Sequence, residues 1–414
     1  MSSGGLYDTR DATLYRWSDD LNQSDYLRAV YEVTAVCDGE QAALSMAMEQ
    51  SVGTTHIGDY LNLESLAPCC IRVVSVSELP EQPPSVIATY RLMTPVYEAS
   101  EKVGGTFAIE LAIPLRLLAG KPVQLFNILI GELPRLGFLT RFRLMSANLP
   151  TSFGPGPGFG VAGIRRLTKQ ARGPLLCRSM RPAVGLDIAT MAQLNRDVLT
   201  GGFHIVKDDE LAVFANFAEF DTHVRAMLAA RDIARSETGE RKLYFANLIC
   251  EPWELTQRWE LCFELGVDGV LVAPWIQGWG TMAYLAGQRK MPILAHNTLG
   301  EIFTRHPDWK IDHAVVNHWL RICGADLFVT DGEFGNVELS AAKCAHQLDN
   351  ARQPLNGLAA MVPILQGGKT PSGLPLYRKL VGSDDFMLIV AQWVDNHAGG
   401  LATGAAAFRR ALDT

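Results

Sequence analysis

Lys207-Asp208-Asp209-Glu210 follows a short β-type run, Phe203-His204-Ile205-Val206, and puts an amine beside three carboxylates. Carboxylate oxygens are hard donors suited to Mg²⁺. A protonated lysine repels a cation, so Lys207 joins such a set only as a neutral amine, a form favoured by burial near other cations. A neutral amine can take up carbon dioxide and become an anionic carbamate. That would make Lys207 an oxygen ligand beside Asp209 and Glu210. Solvated loop ends carry the same kind of charge run, so the place of the tetrapeptide in the chain decides between the two readings.

That place is set by the elements around it. Gly154-Pro155-Gly156-Pro157-Gly158-Phe159-Gly160 interrupts the chain and can continue neither a helix nor a central strand. It predicts a boundary between a domain over 1–150 and one over 151–414. In the first, strand-like runs (Tyr26 to Val36, Cys70 to Val76, Ser85 to Thr94) mix with helix-like Asp38 to Glu49. This fits an α+β, ferredoxin-like domain built on an antiparallel sheet. In the second, apolar strand-length runs alternate with helical segments such as Glu254 to Leu265 and Asp312 to Ile322. The eight runs are Pro174 to Met180, Phe203 to Val206, Leu243 to Ile249, Gly269 to Pro274, Pro292 to Ala295, Ala325 to Val329, Val362 to Leu365 and Phe386 to Ala391. Near-continuous apolarity suits parallel strands buried on both faces. The count, and the lack of a Gly-rich dinucleotide turn, favour a (β/α)₈ barrel over an open doubly wound sheet.

Chemistry in such barrels sits at the carboxyl ends of the strands. Those ends carry Met180-Arg181, Lys207 to Glu210, Asn247, Trp275, His296-Asn297, Thr330-Asp331, Gln366-Gly367-Gly368 and Gln392-Trp393. His296 is the proton-transfer candidate, because imidazole titrates near neutrality. Arg181 stays charged and suits an oxyanion rather than the role of base. His204 lies inside the second strand, where periodicity allows either face, and is read as structural. Trp275, Trp279 and Trp393 would make a stacking pocket, or simply belong to the core.

Composition bounds the rest. The 414 residues, 48% hydrophobic and 20% charged, suit a globular protein of about two domains. A net charge of −7 argues against a nucleic-acid partner. No apolar stretch reaches the ~20 residues of a membrane span, and Met1 to Tyr7 lacks a signal-peptide pattern. Eight cysteines without C-x-x-C or zinc spacing suggest reduced thiols, and the expectation is a cytoplasmic protein.

Several of these segments match one family. The chain resembles the large subunit of ribulose bisphosphate carboxylase, and more closely its non-carboxylating relatives, the RuBisCO-like (form IV) proteins. Gly156-Pro157-Gly158-Phe159-Gly160-Val161-Ala162-Gly163-Ile164-Arg165 resembles the segment joining the family's two domains, and Gly400 to Ala405 the helix start after strand eight. Gly201 to Glu210 resembles its metal-binding strand, which implies a carbamate on Lys207 and Mg²⁺ on Lys207, Asp209 and Glu210. Glu49, Gly53-Thr54 and Asn127 fall where the family supplies active-site groups from a partner subunit. The resemblance therefore implies a homodimer with shared sites and a small-molecule substrate.

The departures from the family pattern bear on the substrate. Arg181 stands where carboxylases carry a lysine base, Ala183 replaces a second lysine, and Asn336 replaces the mobile lysine of the loop after strand six. Carboxylation of ribulose bisphosphate is therefore not expected. Ala391-Gln392-Trp393 fills one phosphate-binding glycine triplet; Asn297 and Val329 replace the arginine and histidine of the other site. Gly367-Gly368 alone keeps backbone N–H groups suited to an anion. The expected reaction is Mg²⁺-dependent enolisation, isomerisation or decarboxylation of a sugar- or keto-acid-like substrate other than a bisphosphate. Gln366, Gln392, Trp393 and Asn297 would contact it. The alternatives are an isomerase or enolase of methylthio-sugar phosphates in sulfur salvage, or a relative that binds a metabolite without catalysis.

Overall fold

The structure is a computed structural model that describes residues 13–51, 63–86, 104–331, 340–355 and 357–412. It divides into two compact units, 1–153 with 301–319 and 154–300 with 320–414.

The first unit is built on a five-stranded sheet. Four strands, β1 (Tyr26–Ala35), β2 (Arg72–Leu79), β3 (Gly105–Pro114) and β4 (Leu139–Ala147), pair antiparallel in the spatial order β4-β1-β3-β2. Leu27, Ala29, Tyr31 and Val33 alternate with half-exposed residues along β1, so one face of the strand is core. The helix Gly39–Ser51 packs on β2 and β3 through small side chains, Ala42, Ala43 and Ala47 among them. A fifth strand, Trp309–Ile311 (β10 in chain order), pairs parallel with β4. The sheet is thus mixed rather than purely antiparallel, and it takes in a segment far along the chain, from within the residues assigned by sequence to the barrel. Of the strand-like run Ser85 to Thr94, the part from residue 87 lies outside the described residues.

The second unit contains a closed parallel barrel of eight strands. They are β5 (Leu175–Ser179), β6 (Ile205–Lys207), β7 (Leu243–Asn247), β8 (Gly269–Val272), β9 (Ile293–Ala295), β11 (Leu327–Val329), β12 (Val362–Leu365) and β13 (Met387–Ile389). Every apolar run read from the sequence overlaps one of them; seven contain theirs whole, and β6 runs one residue past its run, to Lys207. β13 closes the barrel by pairing with β5. Leu175, Cys177, Ile205, Leu243, Phe245, Leu271, Leu294, Leu327, Ile364 and Met387 fill the interior. The helix Gly160–Thr168 sends Ile164 into that core. Asp326, just before β11, anchors it: its Oδ1 accepts from the N–H groups of Phe159 and Gly160 (2.7 Å each) and its Oδ2 from Ile293 N–H (3.0 Å). Gly160 has φ +55°, and a Cβ there would lie 2.7 Å from Ala360 O, so a side chain would force the two segments apart. Arg165 locks the same end to the Gly173 carbonyl and to Asp385 before β13.

Candidate active site

Strand alternation builds the floor of the site. Leu175 and Cys177 face the barrel interior, so Ser179 does as well; Ile205 puts Lys207 inward, and Leu243 with Phe245 puts Asn247 inward. On three consecutive strands the inward row thus changes from apolar to polar at the carboxyl end. Ser179, Lys207 and Asn247 are all buried.

The Lys207 side chain is 1% exposed, and its Nζ lies 3.0 Å from the Asp208 carbonyl and 3.3 Å from Glu210 Oε2. Asp209 accepts from Ser179 Oγ (3.0 Å) and from Arg181 Nε (2.5 Å), and its Oδ1 takes the Leu211 N–H (3.1 Å). Glu210 Oε1 accepts from Arg181 Nη2 at 2.8 Å. Burial alone would raise the Glu210 carboxyl; Lys207 foremost, then His296 and Arg181, hold it down to about 2. Arg181 is half exposed and spans the two carboxylates with its planar fork. Buried Arg178 sets the backbone there, with Nη2 on the Arg181 carbonyl (2.9 Å) and Nε on Asp395 (3.0 Å).

Asp208 points the opposite way, away from this group. Its carboxylate meets His223 Nε2 (2.8 Å), the Tyr244 hydroxyl (2.7 Å) and the Asn247 N–H (3.1 Å). Burial works to raise the Asp208 carboxyl, but His223 and these hydrogen bonds outweigh it and hold it below its usual value. The same pairing raises His223 despite its burial. Asp208 thus serves the scaffold: it fixes the strand end on which Lys207 and Asp209 sit.

His296, at the end of β9, is buried. Its Nδ1 accepts the Thr298 N–H at 3.2 Å and lies 2.7 Å from Thr298 Oγ1. A backbone N–H can only donate, so in the neutral ring the proton is on Nε2, which lies 3.4 Å from Glu210 Oε2. Burial first, and Lys207 next, push His296 down to about 4 against the pull of Glu210. Near neutral pH this ring is therefore an uncharged Nε2–H donor.

A cavity of about 980 Å³ opens over these groups. Ser179, Arg181, Lys207 and Glu210 line one part, Gly367 to Thr370 another, and Gln392, Trp393 and His397 a third. Gly367 (φ +73°) and Gly368 (φ +59°) follow β12, and Gln366 adjoins them in the lining. The Gly367 carbonyl accepts from Lys369 Nζ at 3.0 Å, and burial pushes Lys369 down to about 8. Trp393 packs against His397 and edge-on to Phe408. Trp275 and Trp279 pack on each other (5.1 Å), and of the three tryptophans Trp393 lines the cavity. Asn297 donates to the Thr330 carbonyl (3.3 Å) and accepts from Gln366 at 3.5 Å.

Other candidates lie elsewhere. Glu49 and Asn127 are in the first unit, where Glu49 is nearly buried 3.9 Å from Arg135 and Asn127 donates to Gln124 (2.9 Å). Thr54 and Asn336 fall outside the described residues. His204 is buried immediately before β6 rather than inside it, with Nδ1 accepting the Leu176 N–H (2.9 Å) and Nε2 facing Arg409. Sequence reasoning missed Ser179, Thr298, Lys369 and the Asp208 partners His223 and Tyr244. The two-residue strand period would have flagged Ser179.

Among the described residues no cluster of three His, Cys, Asp or Glu side chains is arranged to hold a metal. Asp209 and Glu210 supply two carboxylates, and the buried side chain beside them is Lys207. A third anionic oxygen therefore arises only if Lys207 is carbamylated, and that set of oxygens fits a hard cation such as Mg²⁺.

Comparison with known proteins identifies the family. Residues 160–414 match the ribulose bisphosphate carboxylase large chain, catalytic domain. A ribulose bisphosphate carboxylase-like protein of Archaeoglobus fulgidus is 28% identical over 374 residues, covering 89% of this chain and 82% of the relative. A 2,3-diketo-5-methylthiopentyl-1-phosphate enolase of Bacillus velezensis is 30% identical over 264 residues, covering 63% of this chain and 64% of the relative. The crystal structure of a rubisco-like protein from Alicyclobacillus acidocaldarius superposes with a TM-score of 0.80 at 25% identity, covering 94% of this chain and 92% of that one. The chain belongs to the ribulose bisphosphate carboxylase large-chain family, within which it is a RuBisCO-like protein.

Proposed function

We propose that this chain is a Mg²⁺-dependent RuBisCO-like enzyme that enolises, isomerises or decarboxylates a sugar- or keto-acid-like substrate and does not carboxylate ribulose bisphosphate. The observation that carries this reading is the buried Lys207 amine against Glu210, beside Asp209, on the floor of an open cavity. Held by carbamylated Lys207, Asp209 and Glu210, Mg²⁺ would supply Lewis-acid stabilisation of the negative charge that develops on adjacent substrate oxygens. The remaining work falls to the chain's own groups. His296, held by Thr298 as an uncharged Nε2–H donor, gives a hydrogen bond to a substrate oxygen; its depressed pKa removes the imidazolium proton expected from a histidine titrating near neutrality. Lys207, if carbamylated, would supply an oxygen base for the carbon-bound proton, because Nδ1 of His296 is occupied and Nε2 already carries hydrogen. Arg181 stabilises a second anionic oxygen. The reaction classes differ only in what the electron-rich carbon then does. By resemblance the enzyme is a homodimer that shares its active sites, with Glu49, Thr54, Asn127 and Asn336 completing them; its cysteine pattern supports a cytoplasmic location.

Substrate choice turns on the far end of the cavity. Gln392 and Trp393 line it as bulky side chains, which favours a neutral or apolar arm. A second reading, a methylthio-sugar phosphate substrate, is supported by the enolase relative and by Lys369 beside Gly367-Gly368. The test of the main reading is isothermal calorimetry with Mg²⁺ and bicarbonate on wild type and Lys207→Ala. Metal affinity is expected to fall at least roughly 100-fold in the variant. Unchanged binding would remove the carbamate from the account.

A further inference from the structure

The two carboxylates assigned to the metal already have a cation. Arg181 Nε lies 2.5 Å from Asp209 Oδ2, and Nη2 of the same guanidinium lies 2.8 Å from Glu210 Oε1. Lys207 takes the other Glu210 oxygen, Oε2, at 3.3 Å. The Asp209 oxygens are held as well, Oδ2 also by Ser179 and Oδ1 by the Leu211 N–H. Carbon dioxide uptake would make Lys207 anionic, and Arg181 would remain. A guanidinium keeps its charge at any ordinary pH, so it cannot step aside by losing a proton. It can step aside by moving: the side chain is 54% exposed, and it projects into the cavity.

We infer that Arg181 is an internal counter-cation that competes with the divalent metal for Asp209 and Glu210. This rests on the metal reading above. Metal entry requires the guanidinium to release both carboxylates and swing into the cavity, where the same fork meets an anionic oxygen of the substrate. One residue thus holds the acids together before the metal arrives and becomes a substrate-positioning group afterwards. Two charge-assisted hydrogen bonds are given up on metal binding and regained only if an anionic substrate is present. Metal and anionic ligand should therefore bind cooperatively, each tightening the other by the same factor.

The test is the affinity for Mn²⁺ alone, read from the electron paramagnetic resonance of the free ion in bicarbonate buffer. The proteins are full-length wild type, Arg181→Met, Arg181→Lys and, as a charge control, Arg225→Met. Arg225 sits on a surface helix paired with Asp221. Arg181→Met keeps an apolar stem of similar reach at a half-exposed position and is expected to bind Mn²⁺ at least about tenfold tighter than wild type. Arg181→Lys, without the fork, is expected to fall between the two, and Arg225→Met to match wild type. Equal or weaker binding by Arg181→Met overturns the inference while leaving the metal reading intact. Equal tightening by Arg225→Met also overturns it, since the effect would then be one of net charge. Absence of Mn²⁺ binding in every protein removes both this inference and the metal reading.

Discussion

Asp208 and Asp209 are adjacent, of the same type, and opposite in role, because successive residues at a strand end face opposite sides. Asp209 turns to Ser179 and Arg181, two residues that line the cavity, whereas Asp208 turns the other way to His223, Tyr244 and the Asn247 N–H. That makes the scaffold contribution testable without touching a cavity group. Tyr244→Phe removes one donor from a buried carboxylate, and the expected loss is about 1–3 kcal/mol in denaturant unfolding. Wild-type stability in that variant would mean that the hydroxyl carries no weight there. The Lys207, Asp209 and Glu210 set was legible in the sequence because three consequential residues followed an apolar run at a strand end. Thr298 was not, since its effect on His296 arises from a backbone N–H, which every non-proline residue possesses. It nevertheless decides which ring nitrogen carries the proton.

At the scale of elements, the eight barrel strands could be read because burial on both faces leaves them almost wholly apolar. Trp309–Ile311 was not readable: three residues carry no periodicity, and their pairing with β4 joins positions far apart in the chain. The loop after β12 adds a feature that glycine spacing alone concealed. Lys369 is buried beside Gly367-Gly368, with its ammonium held down to about 8. Below pH ~8 the lysine is charged in both folded and unfolded states. Between there and the unfolded value near ~10.4, the unfolded chain keeps a proton that the folded one has lost. This group therefore makes folding stability rise with pH across that window, by on the order of 3 kcal/mol. Urea unfolding of wild type and Lys369→Met at pH 7.5 and 10 checks the sign: wild type is expected to gain on the variant as pH rises. An unchanged difference between them would show that the amine is solvated in the folded protein.

Taken as a molecule, the chain carries an acid and lysine cluster at one side of a cavity and bulky Gln392 and Trp393 at another. Ser179, Lys207 and Glu210 line one side of it, with Asp209 and His296 buried against them, while Gln392 and Trp393 line another, where the resemblance puts the family's glycine triplet. Retention at one end and replacement at the other is what a changed substrate on a kept reaction type would leave. Among the described residues no helix is long and apolar enough to cross a membrane. All of the functional account depends on Lys207 becoming an anion. Carbon-13 NMR of the protein in labelled bicarbonate with Mg²⁺ reads this directly. A slowly exchanging carbamate carbonyl resonance is expected in wild type and is expected to be missing in Lys207→Ala. Identical spectra from the two proteins would contradict the carbamate and, with it, the proposed metal site.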